Sequence, residues 1–251
     1  ALFVRGCFPA VRMIIAIDVG NTRIKWGIHD GDVWLERGAF LTRDVSSLLE
    51  LNYRWPDSAR IVACNVAGEA VEARVEKALA TRFAPLLWLR SSASQCGVRN
   101  AYEESWRLGA DRWAALIGAR ALRSADCLVV CAGTATTVDW LDAGGNFRGG
   151  LILPGMDLMR TALARNTAQL PLSEGTYREE PRSTIDAIAS GCLHAQIGAI
   201  ERMYAKLPAA SNALCLLTGG AATQIAPHFA IPFQFSEHLI LDGLVRFATS
   251  Q

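Results

Sequence analysis

The sequence predicts an α/β fold made of two similar domains in tandem, and three observations support this prediction. A chain of 251 residues, of which 51% are hydrophobic, has enough apolar side chains for two cores. The chain also resembles itself, because residues 15–22 align with 128–135 and Gly20 then falls on Gly133. Each copy begins with β-type runs around a glycine turn and continues with alternating helix and strand periodicity, which is typical of α/β domains.

The first copy opens with β-branched runs separated by glycine-containing turns, a pattern that predicts a three-stranded meander. Val71, Val75 and Leu79 then follow at helical spacing. In order, the expected elements are strands at 15–22, 23–30 and 33–40, a strand at 61–64, a helix from about residue 68 to 83, a strand at 86–89 and a helix after Asp111.

The second copy follows the same plan, with a Gly-rich corner before its third strand. Its long helix is introduced by the capping pattern STID, which begins at Ser183. The expected elements are strands at 128–135, 136–143 and 147–153, a helix after Gly155, a helix from about 184 to 206, a strand at 214–217, a Gly-Gly turn and closing helices.

The domain boundary is expected near residues 123–126, which divides the chain into domains at 13–124 and 125–251. Two similar domains in tandem predict a cleft between them, where ligands commonly bind. Residues 1–12 precede Met13 and the first strand, so we interpret them as an N-terminal extension or the product of an alternative start.

Composition excludes several classes of function. The formal net charge is +1 and no basic run is interleaved with aromatic residues, so nucleic acid is not expected as a direct partner. No apolar run reaches the roughly 18–20 residues of a membrane helix and no signal-peptide pattern is visible, which favours a cytoplasmic protein. The 7 cysteines lie partly inside apolar runs and form no zinc-type pattern, which favours reduced core thiols.

The two glycine turns, DVGNT around Gly20 and AGTATT around Gly133, are candidate phosphate-binding turns. Backbone N–H groups that converge in such a turn form an anion-binding concavity, and two of them facing one cleft can bind a nucleotide's phosphates from both sides. Each turn alone is equally compatible with an ordinary hairpin. Their duplication favours phosphate binding.

Asp18 lies at the end of the first apolar strand, where an unpaired charge is costly to bury. A carboxylate near a polyphosphate is repelled unless a divalent cation lies between them. We therefore interpret Asp18 as a residue that binds Mg²⁺ directly or through water. Lys25, on the next strand, could offset developing phosphoryl charge. The alternative for Lys25 is an ordinary solvated lysine.

Two further segments carry weaker signals. Gly219 and Gly220 follow a strand and precede a helix, where a base or ribose could approach closely, although Gly-Gly turns are also common packing features. Asp111 is expected to begin a helix, where it either caps the helix or acts as a general base. Arg112, beside it, is a candidate ligand for an anionic substrate.

These motifs together resemble the type III pantothenate kinases, members of the acetate kinase, sugar kinase, Hsp70 and actin superfamily. The resemblance extends over nearly all of residues 13–248. The matched motifs are a D-x-G-N-T-x-x-K motif from Asp18 to Lys25, a G-x-D-R motif from Gly109 to Arg112, G-T-A-x-T-x-D from Gly133 to Asp139, GGLILPG from Gly149 to Gly155, TAQLP from Thr167 and TIDAI from Thr184.

The resemblance implies two tandem ribonuclease H-like domains of the actin-like ATPase fold, and phosphorylation of pantothenate by ATP with Mg²⁺ and a monovalent cation, K⁺ or NH₄⁺. It also implies a homodimer in which Thr184 reaches the neighbouring subunit's substrate. The implied roles are a catalytic base, Asp111; ATP and phosphate binding by Asp18, Gly20, Asn21, Thr22, Lys25, Gly133, Thr134, Thr137, Gly219 and Gly220; and pantothenate binding by Tyr102, Gly109, Arg112 and Thr184.

Cys131 departs from the family pattern, because relatives usually have Asp at this position and that Asp is linked to the monovalent cation site. A neutral thiol predicts a weakened, shifted or absent cation site. Two alternative functions stay open: a kinase of the same superfamily for another small alcohol, and a transcriptional accessory protein of the Bvg accessory factor type that retains the kinase fold.

Overall fold

The computed structural model describes residues 13–56, 59–80, 86–172, 174–208 and 212–251, so the predicted extension at 1–12 lies outside the described residues. The strands are β1 (Ile14–Val19), β2 (Arg23–His29), β3 (Trp34–Leu41), β4 (Arg60–Asn65), β5 (Leu86–Trp88), β6 (Ser94–Gln95), β7 (Val98–Asn100), β8 (Cys127–Ala132), β9 (Ala135–Leu141), β10 (Asn146–Pro154), β11 (Leu214–Thr218) and β12 (Phe233–Phe235). The α-helices are α1 (Ser47–Arg54), α2 (Glu69–Leu79), α3 (Ala110–Leu122), α4 (Met156–Asn166), α5 (Thr184–Tyr204), α6 (Ala222–Ile225) and α7 (Leu239–Thr249).

The chain forms two compact units, one containing the residues up to Arg90 together with Leu244–Gln251, the other containing Ser91–Gly243. The first unit holds a five-stranded sheet in the order β3-β2-β1-β4-β5. Strands β1, β2 and β3 are antiparallel neighbours, whereas β4 and β5 run parallel to β1. All six residues of β1 are buried, as expected for a central strand whose two faces are both covered.

The second unit repeats this sheet and extends it. Its strand order is β12-β11-β8-β9-β10-β7-β6, so β8 lies between antiparallel β9 and parallel β11, as β1 lies between β2 and β4. The meander that was predicted for both copies is therefore present in both sheets, and in each sheet a later strand pairs parallel with the central one.

Strands β6 and β7 explain where the units divide. They precede α3 in the chain, yet β7 pairs with β10 and so belongs to the second sheet. The predicted boundary at residues 123–126 falls inside the second unit for this reason. The sequence carries little signal for these strands, because they are two and three residues long and mostly polar.

Helix α3 is the element that positions the catalytic candidates, and its packing depends on two glycines. A Cβ atom on Gly118 would overlap the carbonyl of Leu239, and one on Gly243 would overlap the carbonyl of Ala114. The backbones of α3 and α7 therefore approach more closely than any side chain would allow. Trp113 and Leu116 on α3 are fully buried, which fixes the orientation of this helix in the second unit.

Candidate active site

The first glycine turn connects β1 to β2 and is held by hydrogen bonds on both sides. The N–H of Gly20 donates to the carbonyl of Arg23 at 3.1 Å, and the hydroxyl of Thr42 donates to the carbonyl of Gly20 at 2.6 Å. Asn21 and Thr22 are exposed at the tip of this turn. The structure thus presents these residues on a fixed backbone, the arrangement that an anion-binding turn requires.

Asp18 is 5% exposed, and each of its carboxylate oxygens has a partner. The ammonium group of Lys25 lies 3.9 Å from Oδ2, and the thiol of Cys64 donates to Oδ1 at 3.6 Å. These three residues are neighbours in register on β1, β2 and β4. A hard carboxylate oxygen paired with one cation suits a Mg²⁺ ion, which keeps most of its ligands as water and phosphate.

The second glycine turn connects β8 to β9, and it is packed against two other glycine segments. The N–H of Gly133 donates to the carbonyl of Ala135 at 3.0 Å, and the N–H of Gly155 donates to the carbonyl of Thr134 at 2.9 Å. A Cβ atom on Gly155 would overlap the carbonyl of Gly133, and one on Gly219 would overlap that of Ala132. Three of the predicted motifs therefore meet at one place in the second unit.

Cys131 lies in register with Thr137 on β9 and with Thr218 on β11. The hydroxyl oxygen of Thr137 is buried and has no hydrogen-bond partner within the part of the chain that the structure describes. A thiol and two hydroxyls supply no formal negative charge, whereas hard cations prefer oxygen ligands that include carboxylates or carbonyls. These side chains supply no carboxylate to the monovalent cation site that the family resemblance implies.

Asp111 lies in the first turn of α3, but it does not cap the helix. The N-cap residue is Gly109, and Asp111 is the second helical residue, with Oδ1 accepting the N–H of Arg112 at 2.7 Å. The expectation of a capping Asp111 is corrected accordingly. A partly buried carboxylate at this position lies in the favourable field of the helix N-terminus, where an anion is stabilised.

Arg112 is 4% exposed and forms an ion pair with Asp139, which is fully buried. Burial alone would lower the pKa of Arg112, but its hydrogen bonds to Asp139 raise it, so the guanidinium stays charged. Burial raises the pKa of Asp139, hydrogen bonds from Arg112 oppose this, and the nearby charge of Asp111 adds to it. NH1 of Arg112 donates to the hydroxyl of Tyr102 at 2.9 Å.

The structure places the predicted residues in two groups. Asp18, Gly20, Asn21, Thr22 and Lys25 lie in the first unit around one turn. The others lie in the second unit: Gly133, Thr134, Thr137, Gly219 and Gly220 around the second turn, Tyr102, Gly109, Asp111 and Arg112 at the start of α3, and Thr184 exposed at the start of α5.

Residue-by-residue reasoning missed two partners of these groups. Cys64 hydrogen-bonds to Asp18, and Asp139 holds Arg112. The signal for Asp139 was present in the sequence, since an acid inside the apolar strand of residues 136–141 raises the same question about its partner as Asp18 does. No comparable signal marks Cys64, because cysteine is a common core residue.

Comparisons with known proteins identify the family of this chain. The family model for type III pantothenate kinase matches residues 14–206. The chain belongs to the type III pantothenate kinase family. A type III pantothenate kinase from Aromatoleum aromaticum is 53% identical over 232 residues, which are 92% of this chain and 96% of that protein.

Solved structures show the fold of this pantothenate kinase family member. A conserved Baf-family protein from Campylobacter jejuni, described as a transcriptional activator, has a TM-score of 0.65 at 20% identity and covers 94% of this chain and 98% of its own. ADP-bound MreB5 from Spiroplasma citri has a TM-score of 0.53 at 10% identity, covering 96% and 98%. The predicted class, two α/β domains of the actin-like ATPase fold, is confirmed, while a cleft between them stays a prediction.

Within the described residues, no helix combines the length and the apolar character needed to cross a bilayer.

Proposed function

We propose that this protein transfers the γ-phosphoryl group of ATP to the 4′-hydroxyl of pantothenate, the first step toward coenzyme A. Membership of the type III pantothenate kinase family supports the substrate pair. The observation that carries the chemistry is the start of α3, where a partly buried carboxylate, Asp111, adjoins the buried ion pair of Arg112.

The phosphate chain is bound by the backbone N–H groups and side chains of the two glycine turns. Asn21 and Thr22 on the first turn, and Thr134 on the second, are exposed side chains with donor groups. Lys25, with 44% of its side chain exposed, offsets charge on the transferring group. Asp18 would hold Mg²⁺, which would supply positive charge to neutralise the phosphate oxygens. Gly219 and Gly220 leave room for the nucleoside.

Asp111 acts as the general base in this proposal. Its carboxylate accepts the proton of the pantothenate hydroxyl as that oxygen forms a bond to the γ-phosphorus, and the bond from the γ-phosphorus to the bridging oxygen breaks to release ADP. Tyr102, Gly109 and Arg112 orient pantothenate so that its hydroxyl is in line with the leaving group.

We also propose that the enzyme is cytoplasmic and that it depends less on a monovalent cation than relatives with Asp in place of Cys131. It forms a homodimer in which Thr184 contributes to the partner's substrate pocket. Exposed apolar side chains on β10, α4, the following loop and α5 support an interface there: Leu151, Ile152, Leu158, Leu163, Leu172 and Ile185.

The substitution Asp111→Ala tests the proposal. We expect kcat with pantothenate to fall by about 10²–10⁴-fold, the usual contribution of a general base, with ATP affinity changed only modestly. Asp157→Ala is the matched control, because Asp157 also lies in the first turn of a helix but is 96% exposed. A coupled assay for ADP over a panel of small alcohols and acids tests the substrate. Wild-type turnover in Asp111→Ala would refute the base, and preference for another alcohol would refute the substrate.

A further inference from the structure

We infer that Asp139 is a positioning residue for pantothenate binding, which it serves by fixing the guanidinium of Arg112. This inference rests on the proposed function, because it takes Arg112 and Tyr102 as residues that contact the substrate. Asp139 ends the second phosphate motif in the sequence, but its side chain is engaged with the substrate residues of α3.

The contact between Asp139 and Arg112 is a side-on, two-point contact. Nε of Arg112 donates to both carboxylate oxygens, at 3.2 and 3.1 Å, and NH2 donates to Oδ1. Hydrogen bonds from two nitrogens of one planar guanidinium to one carboxylate fix its orientation as well as its position, which a single bond would not do. The plane and direction of the Arg112 side chain are therefore set by the strand that carries Asp139.

The other end of the same guanidinium contacts Tyr102. Nη1 of Arg112 donates to the Tyr102 hydroxyl at 2.9 Å, and the Tyr102 ring packs against Phe147 at a centroid distance of 5.4 Å. The guanidinium carbon lies 5.7 Å from both ring centroids. Asp139, Arg112 and Tyr102 thus form one chain of contacts, so a displacement of Arg112 also moves the hydroxyl of Tyr102.

Burial makes a purely stabilising role a poor explanation of this pair. Asp139 is 0% exposed and Arg112 is 4% exposed, and the desolvation of two such charges consumes much of their attraction. In this pair, the carboxylate of Asp139 neutralises the positive charge of Arg112. Each of its terminal nitrogens has one N–H beyond the bonds described above, so Arg112 acts on the substrate as an oriented donor rather than as an unpaired counter-charge.

Gly150 shows that the surrounding sheet is shaped to admit the pair. It lies in register with Asp139 on the neighbouring strand β10. A Cβ atom at this position would overlap Oδ1 of Asp139 and lie 2.8 Å from Nη2 of Arg112. The second glycine of the GGLILPG motif is therefore required by the ion pair.

The test is Asp139→Asn, which keeps the volume of the side chain but removes its charge and turns an amide N–H₂ toward a donor. We expect KM and the dissociation constant for pantothenate to rise about 10-fold or more, as for the loss of one charged hydrogen-bond pair. KM for ATP and the affinity for ADP should stay within about twofold. The control is Asp126→Asn, another buried acid of the second unit, whose carboxylate accepts Trp140 Nε1 at 3.4 Å.

Asp139→Glu is the second variant, because it keeps the charge and supports folding while displacing the carboxylate by one methylene. It should raise KM for pantothenate without changing KM for ATP. The inference is overturned if the folded variants bind pantothenate as tightly as the wild type does. It is also overturned if the affinities for pantothenate and ATP fall equally and Asp126→Asn has the same effect. A wild-type enzyme without pantothenate kinase activity would overturn the proposed function and this inference together, whereas an active wild type with unaffected variants would overturn this inference alone.

Discussion

The two glycine turns share a strand–turn–strand topology and differ in side-chain chemistry. In each, a central strand lies between an antiparallel and a parallel neighbour, and a glycine N–H closes the turn, with bonds of 3.1 Å at Gly20 and 3.0 Å at Gly133. In the first unit, Asp18 lies beside Lys25 and Cys64. In the second unit, the strand position equivalent to Asp18 is occupied by Cys131, beside Thr137 and Thr218.

This difference shows which part of phosphate binding comes from the fold and which from the side chains. Backbone N–H groups are present in both turns, because the strand–turn–strand geometry alone provides them. The ionic group at the end of the central strand is present only in the first turn. We therefore expect substitutions of the first copy to change metal-dependent chemistry, whereas the second copy should respond mainly to changes of backbone geometry.

The largest effect is expected from Asp18→Asn, compared with Cys131→Ser. Loss of the Asp18 charge removes the proposed Mg²⁺ ligand and leaves Lys25 without its partner, so kcat should fall by about 100-fold or more. Cys131→Ser keeps a neutral, small side chain, so its kcat should stay within about threefold of the wild-type value. Steady-state kinetics over a Mg²⁺ titration measures both.

Thermal unfolding of the same two variants provides the control, because each must be folded for the comparison to hold. Equal losses of turnover in the two variants would contradict the asymmetry between the turns. Wild-type kinetics in Asp18→Asn would remove Asp18 from the metal site.

A second comparison concerns the third glycine turn, where adjacent glycines differ in their surroundings. Gly219 has φ of +103° and its Cβ would overlap the carbonyl of Ala132, whereas a Cβ on Gly220 meets nothing within 4 Å. Gly219→Ala should lower the free energy of unfolding by about 2–4 kcal/mol through backbone strain and overpacking. For Gly220→Ala, the free energy of unfolding should stay within about 0.5 kcal/mol of the wild-type value.

Urea denaturation of the two alanine variants measures this difference, and the affinity for ADP indicates whether the turn also serves the nucleotide. If Gly219→Ala were as stable as Gly220→Ala, the close approach of this turn to the second glycine turn would not be required.

Sequence reasoning was most accurate where a residue type allows one conformation or one periodicity. The strands around Gly20 and Gly133, and the helix begun by Ser183, follow from apolar alternation and from a cap whose hydroxyl accepts the N–H of Asp186. Reasoning failed where tertiary contacts decide. Strand β7 forms because β10 offers it an edge and β6 then pairs with β7, and Asp111 is not the cap because Gly109 takes that position.

Prediction of the candidate site succeeded and failed for the same reasons. The motif spacing identified the residues on the two turns and at the start of α3. The partners of these residues come from distant strands: Cys64 lies 46 residues from Asp18, and Asp139 lies 27 residues from Arg112. A single sequence carries no record of such pairs, so an acid inside an apolar strand indicates that a partner exists without identifying it.

A third experiment restores the missing charge in the second copy. Cys131→Asp gives this strand the carboxylate that the family resemblance implies, beside the hydroxyl of Thr137, whose oxygen is buried without a hydrogen-bond partner among the described residues. We expect K⁺ or NH₄⁺ to raise kcat/KM of this variant by about fivefold or more, whereas the wild type should respond by less than about twofold. Na⁺ or a larger organic cation at equal ionic strength is the control. A strong K⁺ response in the wild type would contradict the expected loss of the cation site.

The smallest effect is expected at the acids that close the two meanders. Asp30 accepts the N–H groups of Val33 and Asp32, each at 2.9 Å, and these bonds lower its pKa. Partial burial alone would raise the pKa of Asp142, but bonds from Asn146, including its N–H at 2.8 Å, lower it. A lowered pKa means that each acid stabilises the fold above its unfolded value of about 3.9, and that this contribution is lost as the pH falls through the folded-state pKa.

Asp142→Asn should therefore lower the free energy of unfolding by about 0.5–1 kcal/mol at pH 7, a value reduced by solvent screening of this partly exposed group. Asp30→Asn, at a fully exposed turn, should have a smaller effect with the same pH dependence. Urea unfolding at pH 7 and near pH 3 measures both, because the wild type loses its own carboxylate charge at the lower pH. The difference between Asp142→Asn and the wild type should then shrink, and a difference that stays constant with pH would mean that side-chain shape, rather than charge, closes the second meander.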